Sequence, residues 1–216
     1  MKSSFEVKET DLLGRVGTLR VGQKTLETPY LFPVIHPVDQ LIPTKELAAM
    51  GFGGLMTNSY ILHSRRKEEA LERGIHRLLG FDGVFMTDSG GYQVLVYGDL
   101  GLGYRQVAEF QADIGSEVAV TLDRPTGYPQ KRSVAVETVD YSLRNAASTL
   151  RDFGARDTLW VGPIQGGLYP DLVRRSARSL VEAGFGLFFL VYLRRRAREF
   201  RDPMPRPALR LVKKGV

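Results

Sequence analysis

No cysteine occurs anywhere in the 216 residues. That absence excludes disulfides, Cys-ligated zinc and a thiol nucleophile within the chain, and it suits a reducing compartment. Long apolar runs are also missing. The longest, from Phe185 to Leu193, is too short to span a bilayer and suits a buried strand. Residues Met1 to Glu6 contain no apolar stretch of the secretory kind, so the expectation is a cytoplasmic protein with no membrane partner. Glycine-rich phosphate loops of the P-loop or dinucleotide type are absent. The three histidines, His36, His63 and His76, show no metal-ligand spacing, so no metal site is expected. His76 follows Gly74-Ile75, where capping or packing is the better reading.

What is present is a globular composition, 43% apolar with 10% aromatic residues, in a chain long enough for one domain or two. The net charge of +6 is unevenly spread. From Arg194 to Val216 nine Lys/Arg stand against Glu199 and Asp202. That tail outweighs the whole chain's excess, so the body before it is close to neutral. A basic tail can bind nucleic acid through phosphates, or it can simply be a solvated end.

The first thirty residues read as a small antiparallel β element. Phe5–Lys8 and Gly14–Val21 roughly alternate apolar and polar residues, Gly22-Gln23-Lys24 offers a turn, and a further run begins at Thr25. The pattern then changes. Strand-like runs near 30–35, 54–57, 83–87, 118–122, 158–164 and 187–193 alternate with helical segments near 44–50, 64–79, 104–114, 133–153 and 170–183. Strand, helix, strand in repetition predicts parallel strands with helical crossovers. Asn58, Asp88, Asp123 and Gln165 each follow the carboxyl end of a strand-like run. In a TIM-type (β/α) barrel those ends form the active-site face, and four polar residues on four strands favour a shared site. A doubly wound open sheet is the second candidate.

Three motifs carry candidate chemistry. In Asp88-Ser89-Gly90-Gly91-Tyr92-Gln93 a buried strand delivers a carboxylate, two glycines allow close approach of the backbone to a ligand, and Tyr92 can stack on a planar base. The structural alternative is a helix N-cap with a glycine turn. In Leu122-Asp123-Arg124-Pro125-Thr126 the carboxylate can accept two donors from a guanine edge, or can simply order an Arg-Pro turn. In Ile164-Gln165-Gly166-Gly167 the amide can bond a purine edge, or the segment is an ordinary strand-to-helix turn. Asp88 and Asp123 together could perform substitution at a sugar C1′, since retention there uses one carboxylate nucleophile and one acid/base group. Equally, both could hold the base while the nucleophile lies elsewhere.

At these residues the sequence resembles the archaeal branch of the tRNA-guanine transglycosylases. The similarity runs from about Phe5 to Phe188. It includes Gly14-Arg15-Val16-Gly17, Thr57-Asn58-Ser59-Tyr60, Gly74-Ile75-His76, the Asp88 loop, Leu122-Asp123 and Ile164-Gln165-Gly166. The resemblance implies a TIM-type barrel with an N-terminal β element, apparently incomplete, over residues 1–193. It implies exchange of a guanine in the D-loop of tRNA for a 7-deazaguanine base, 7-cyano-7-deazaguanine in archaea, by double displacement through a covalent ribosyl-enzyme. Asp88 would then be the catalytic or base-touching carboxylate. Ser89, Gly90 and Tyr92 would lie against the base, while Asp123, Gln165 and Gly166 would read its edge.

The sequence departs from the family pattern in its last part. Family members carry a further Asp on a later strand, a Cys/His zinc site and, in archaea, C-terminal RNA-binding domains. Those zinc ligands are absent here, so no cofactor is expected of this chain. The family's Gly-Gly after the sixth strand is missing near Leu190–Leu193, and residues 194–216 match nothing in the pattern. A frameshift or truncation at that point is the expectation. The alternatives to an active transglycosylase are a non-catalytic base- or tRNA-binding subunit and a degenerate fragment. Six strands of an eight-strand barrel would leave open edges, which predicts a homo-oligomer or a complementary C-terminal chain as partner.

Overall fold

A computed structural model describes residues 3–91, 93, 101–127 and 130–190. The expectations for Tyr92 and for the basic tail fall outside the described residues. Those up to 90, together with 105–120 and 154–159, form one compact unit, and the remaining described residues form another.

The first unit opens with an antiparallel sheet of β1 (Ser3–Asp11), β2 (Gly14–Val21) and β3 (Lys24–Thr28), in that order. Gly22, at φ 60°, makes the β2–β3 turn, a left-handed conformation that glycine adopts without steric cost. Four parallel strands follow: β4 (Val34–Ile35), β5 (Gly54–Asn58), β6 (Val84–Asp88) and β7 (Val118–Val120). Their crossovers contain helices α1 (Thr44–Ala49), α2 (Ser59–Leu79) and α3 (Tyr104–Asp113). β5 and β6 are almost wholly buried, as parallel strands covered on both faces must be. Leu55 and Phe85 pack there against Leu62, Ile75, Phe110 and Ile114.

Helix α2 begins five residues earlier than the sequence pattern suggests. Asn58 ends β5 and at once caps the helix, its Oδ1 accepting the Ile61 N–H at 2.9 Å. No loop separates the two elements, so no turn residues announce the helix start. The helix is kinked at Arg66 and Gly74 and stops at Gly80, φ 66°, whose N–H donates to the His76 carbonyl.

The second unit contains α4 (Arg132–Phe153), β8 (Leu159–Ile164, whose first residue belongs to the first unit), α5 (Pro170–Glu182) and β9 (Leu187–Leu190). β8 and β9 pair in parallel, Val161 opposite Leu187. Pro170 stands in the first turn of α5, where its missing N–H costs nothing. α4 and α5 share an apolar seam of Ala135, Val139 and Leu172. The α/β class and the alternation of parallel strands with helices agree with the sequence reading. Among the described residues no helix is long and apolar enough to cross a membrane.

Three charges meet at the amino ends of β6 and β7. Glu117 Oε1 accepts from Lys24 Nζ at 2.5 Å and from His76 Nε2 at 2.8 Å, while its Oε2 accepts the Phe85 N–H at 2.8 Å. His76 Nδ1 lies 2.8 Å from the Phe81 carbonyl. Each ring nitrogen therefore has an acceptor beside it, although Lys24 Nζ also lies 3.3 Å from Nε2, and the imidazolium satisfies both acceptors at once. Burial opposes this charge, but the bond and charge of Glu117 outweigh it and raise the His76 pKa. Burial likewise pushes Glu117 up, yet the bonds from His76 and Lys24 hold it below the usual range.

Linkage gives both limits of a stability window. The Glu117 contribution is present above its unfolded pKa and is lost as pH falls through its lowered folded value. The His76 contribution is full below about pH 6.5 and is lost as pH rises through its raised folded value. Thermal melting across pH should therefore show a maximum in mildly acidic solution. Glu117→Gln should cost about 3 kcal/mol and flatten that maximum. A Glu117→Gln protein with an unchanged pH–Tm curve would contradict this assignment.

Candidate functional site

In the first unit, parallel register brings the last residues of β5 and β6 side by side, Asn58 opposite Asp88. Asn58 Nδ2 donates to Asp88 Oδ1 at 2.8 Å, and the Gly90 N–H donates to the same oxygen at 2.7 Å. Ser59 Oγ donates to the Asp88 carbonyl at 2.6 Å. The bond to Gly90 is the local turn that the structural alternative foresaw. The bond from Asn58 comes from a neighbouring strand, and a helix cap would not require it. Burial raises the Asp88 pKa, and the two donors only partly offset it. The carboxyl thus holds its proton to higher pH than an ordinary aspartate, which suits proton exchange with a reacting group. Ser89 is buried, and Gly90 has φ 82°.

In the second unit, Asp123 and Gln165 are both buried, at 5% and 1% exposure, and they touch. Gln165 Nε2 donates to Asp123 Oδ2 at 2.6 Å. Its Oε1 accepts the Thr126 N–H at 3.0 Å, which decides the orientation of the amide. The Asp123 loop is tied to α4 by Asn145 Nδ2 on the Leu122 carbonyl and by Ser142 Oγ under the Arg124 N–H. Thr126 Oγ1 is bonded to Thr138 Oγ1 at 2.7 Å and accepts the Gly166 N–H at 3.3 Å. Gly166 has φ 132°, and a Cβ there would stand 2.6 Å from the Val173 nitrogen. Gly91 lies against Asp123, where a Cβ would collide with Oδ1. Glycine at these two positions is a packing requirement.

The sequence-selected Asp88, Ser89 and Gly90 thus lie together at the end of β6, and Asp123, Gln165 and Gly166 lie together in the second unit. Sequence reasoning left out three supports. Asn58 was seen only as a polar residue ending a strand, whereas its carboxylate partner is thirty residues away. Ser59 and Thr126 act through neighbours that no local motif reveals. The chain has no cysteine, and no group of three metal-binding side chains converges among the described residues.

Each unit thus holds a polar group of its own, the Asn58–Asp88 pair in the first and the buried Asp123–Gln165 pair in the second. The comparisons with known proteins are more specific. Residues 10–192 match the family model described as queuine tRNA-ribosyltransferase, and the chain belongs to that family. Its relatives include proteins named tRNA-guanine(15) transglycosylase. The one from Aeropyrum pernix is 44% identical over 181 residues, 84% of this chain and 35% of that protein. Those from Nanoarchaeum equitans and Methanopyrus kandleri are 44% and 40% identical over 87% and 84% of this chain, and 45% and 40% of the relatives. The chain spans less than half the length of these relatives.

Removing the Asn58 donor should raise the Asp88 pKa further, because burial would then be less opposed. Carboxyl NMR titration of Asn58→Ala against the parent chain measures this directly. A downward or absent shift would show that Asn58 does not support the charged carboxylate.

Proposed function

We propose that this chain supplies the catalytic portion of a tRNA-guanine transglycosylase. It would exchange a guanine of tRNA, at position 15 by analogy with the named relatives, for 7-cyano-7-deazaguanine. Family membership supports the reaction class. The observation that carries the substrate is the polarity of the Asp123–Gln165 pair. With its Oε1 turned to the Thr126 N–H and one Nε2 hydrogen given to Asp123 Oδ2, Gln165 keeps a second N–H to donate, and the carboxylate of Asp123 keeps further lone pairs to accept. Guanine presents the complement, a carbonyl oxygen beside an N–H and an amine. Adenine presents the reverse pattern and would set donor against donor at Gln165.

The chemistry breaks one N-glycosidic bond and forms another. A carboxylate attacks C1′, guanine leaves with the bonding pair and takes up a proton, and the incoming base then displaces the carboxylate while losing its own proton. Asp88 is the residue proposed to handle these events, and its raised pKa suits proton transfer. Tyr92 is the proposed stacking partner of the base, with Ser89 and Gly90 beside it and Gly166 giving room for its plane. The six parallel strands are taken as part of a TIM-type barrel over residues 1–193. Its remaining strands would come from a longer chain, a second copy or a complementary partner. Acting on tRNA, the protein is proposed to work in the cytoplasm.

Labelled guanine exchange into tRNA tests the reading. Asp88→Asn should abolish exchange. Asp123→Asn should weaken guanine use tenfold to a hundredfold, about 1.5–3 kcal/mol for a bond to a charged group. Undiminished exchange in Asp123→Asn would sink the assignment of the base edge.

A further inference from the structure

The same row of strand ends holds one more polar side chain, to which neither the sequence motifs nor the proposed chemistry gives a role. Val34 pairs with Met56 and Ile35 with Thr57, so His36, directly after β4, falls on the rung where Asn58 and Asp88 end the next two strands. Two strand spacings place it about 10 Å from Asp88. Its backbone is held on both sides: Thr57 Oγ1 donates to the Ile35 carbonyl at 3.0 Å and Arg66 Nη1 to the Pro37 carbonyl at 3.3 Å.

The ring itself is oriented. His36 Nδ1 accepts the Asp39 N–H at 2.9 Å and the Val38 N–H at 3.3 Å. A nitrogen that accepts two donors carries no hydrogen, so the neutral ring bears its hydrogen on Nε2. Nε2 has no partner among the described residues, and the side chain is 44% exposed. Closing the loop requires only the acceptor, which an asparagine supplies as well. The imidazole adds a rigid N–H donor reaching beyond the loop.

We infer that His36 Nε2–H donates to a sugar–phosphate oxygen of the nucleotide whose base is exchanged. The inference rests on the transglycosylase reading and assigns that site a backbone contact separate from the base edge. Ordering the donor beforehand lowers the entropy lost on binding.

His36→Asn keeps an acceptor for the loop and removes the outer donor, whereas His36→Ala removes both. Binding of tRNA to the full chain and to both variants, together with NMR of the His36 imidazole, provides the test. The expected result is a shifted Nε2 signal in the complex, with tRNA binding weakened about tenfold in His36→Asn and binding of free guanine unchanged. Guanosine and guanosine monophosphate separate the two oxygen sources: a shift with both indicates a ribose hydroxyl, and a shift with the monophosphate alone indicates phosphate. If tRNA binds while the imidazole signal stays fixed and His36→Asn binds like the parent, the residue only closes its loop and the inference is overturned. If the parent chain binds guanine but not tRNA, the His36 contact falls while the base-edge assignment stands. If it binds neither, both fall.

Discussion

Parallel pairing in register is the constraint on which the first unit depends. It sends β4, β5 and β6 in one direction, so every residue that ends a strand arrives at the same edge. Asn58 and Asp88 meet because they share a rung, not because they are near in sequence. The opposite edge is different in kind. There Lys24, His76 and Glu117 bind β3 to the amino ends of β6 and β7. One edge carries the groups suited to chemistry and the other carries charges that hold the unit together, the division expected of parallel strands alternating with helices.

Buried carboxylates make the contrast quantitative in direction. Glu117 is met by an ammonium, an imidazolium and a backbone N–H, which together overcome burial and keep it ionised. Asp88 is met by two neutral donors, and burial wins. The first carboxylate is fixed as a charge, whereas the second remains able to gain and lose a proton. Asp123 is a third case, its Oδ2 bonded to an amide whose own orientation is set by the backbone of Thr126. The same side-chain type thus serves three ends according to what faces it.

Much of this was legible in the residues. The buried runs at 54–57 and 83–87 and the helix at 170–183 announced themselves by periodicity, and Pro170 and Gly184 marked their limits. Gly91 was legible as a point of close approach, although the sequence pointed to a ligand and the structure presents Asp123 as the near neighbour. The start of α2 was not legible because Asn58 serves strand and cap at once. The cluster at His76 was not legible either. Capping or packing was the expectation for that histidine, whereas its ring bonds to partners far along the chain: Lys24 lies 52 residues away and Glu117 41, and single-chain periodicity carries no information about such pairings. Tyr92 lies outside the described residues, so stacking remains part of the proposal alone.

The central claim is that a donor from Gln165 and an acceptor from Asp123 together specify a guanine edge. Calorimetric titration of the chain with guanine, hypoxanthine and adenine tests it most directly. The account predicts that guanine binds most tightly, that hypoxanthine is weaker because it lacks the exocyclic amine, and that adenine gives no measurable heat. Adenine binding as tightly as guanine would contradict it.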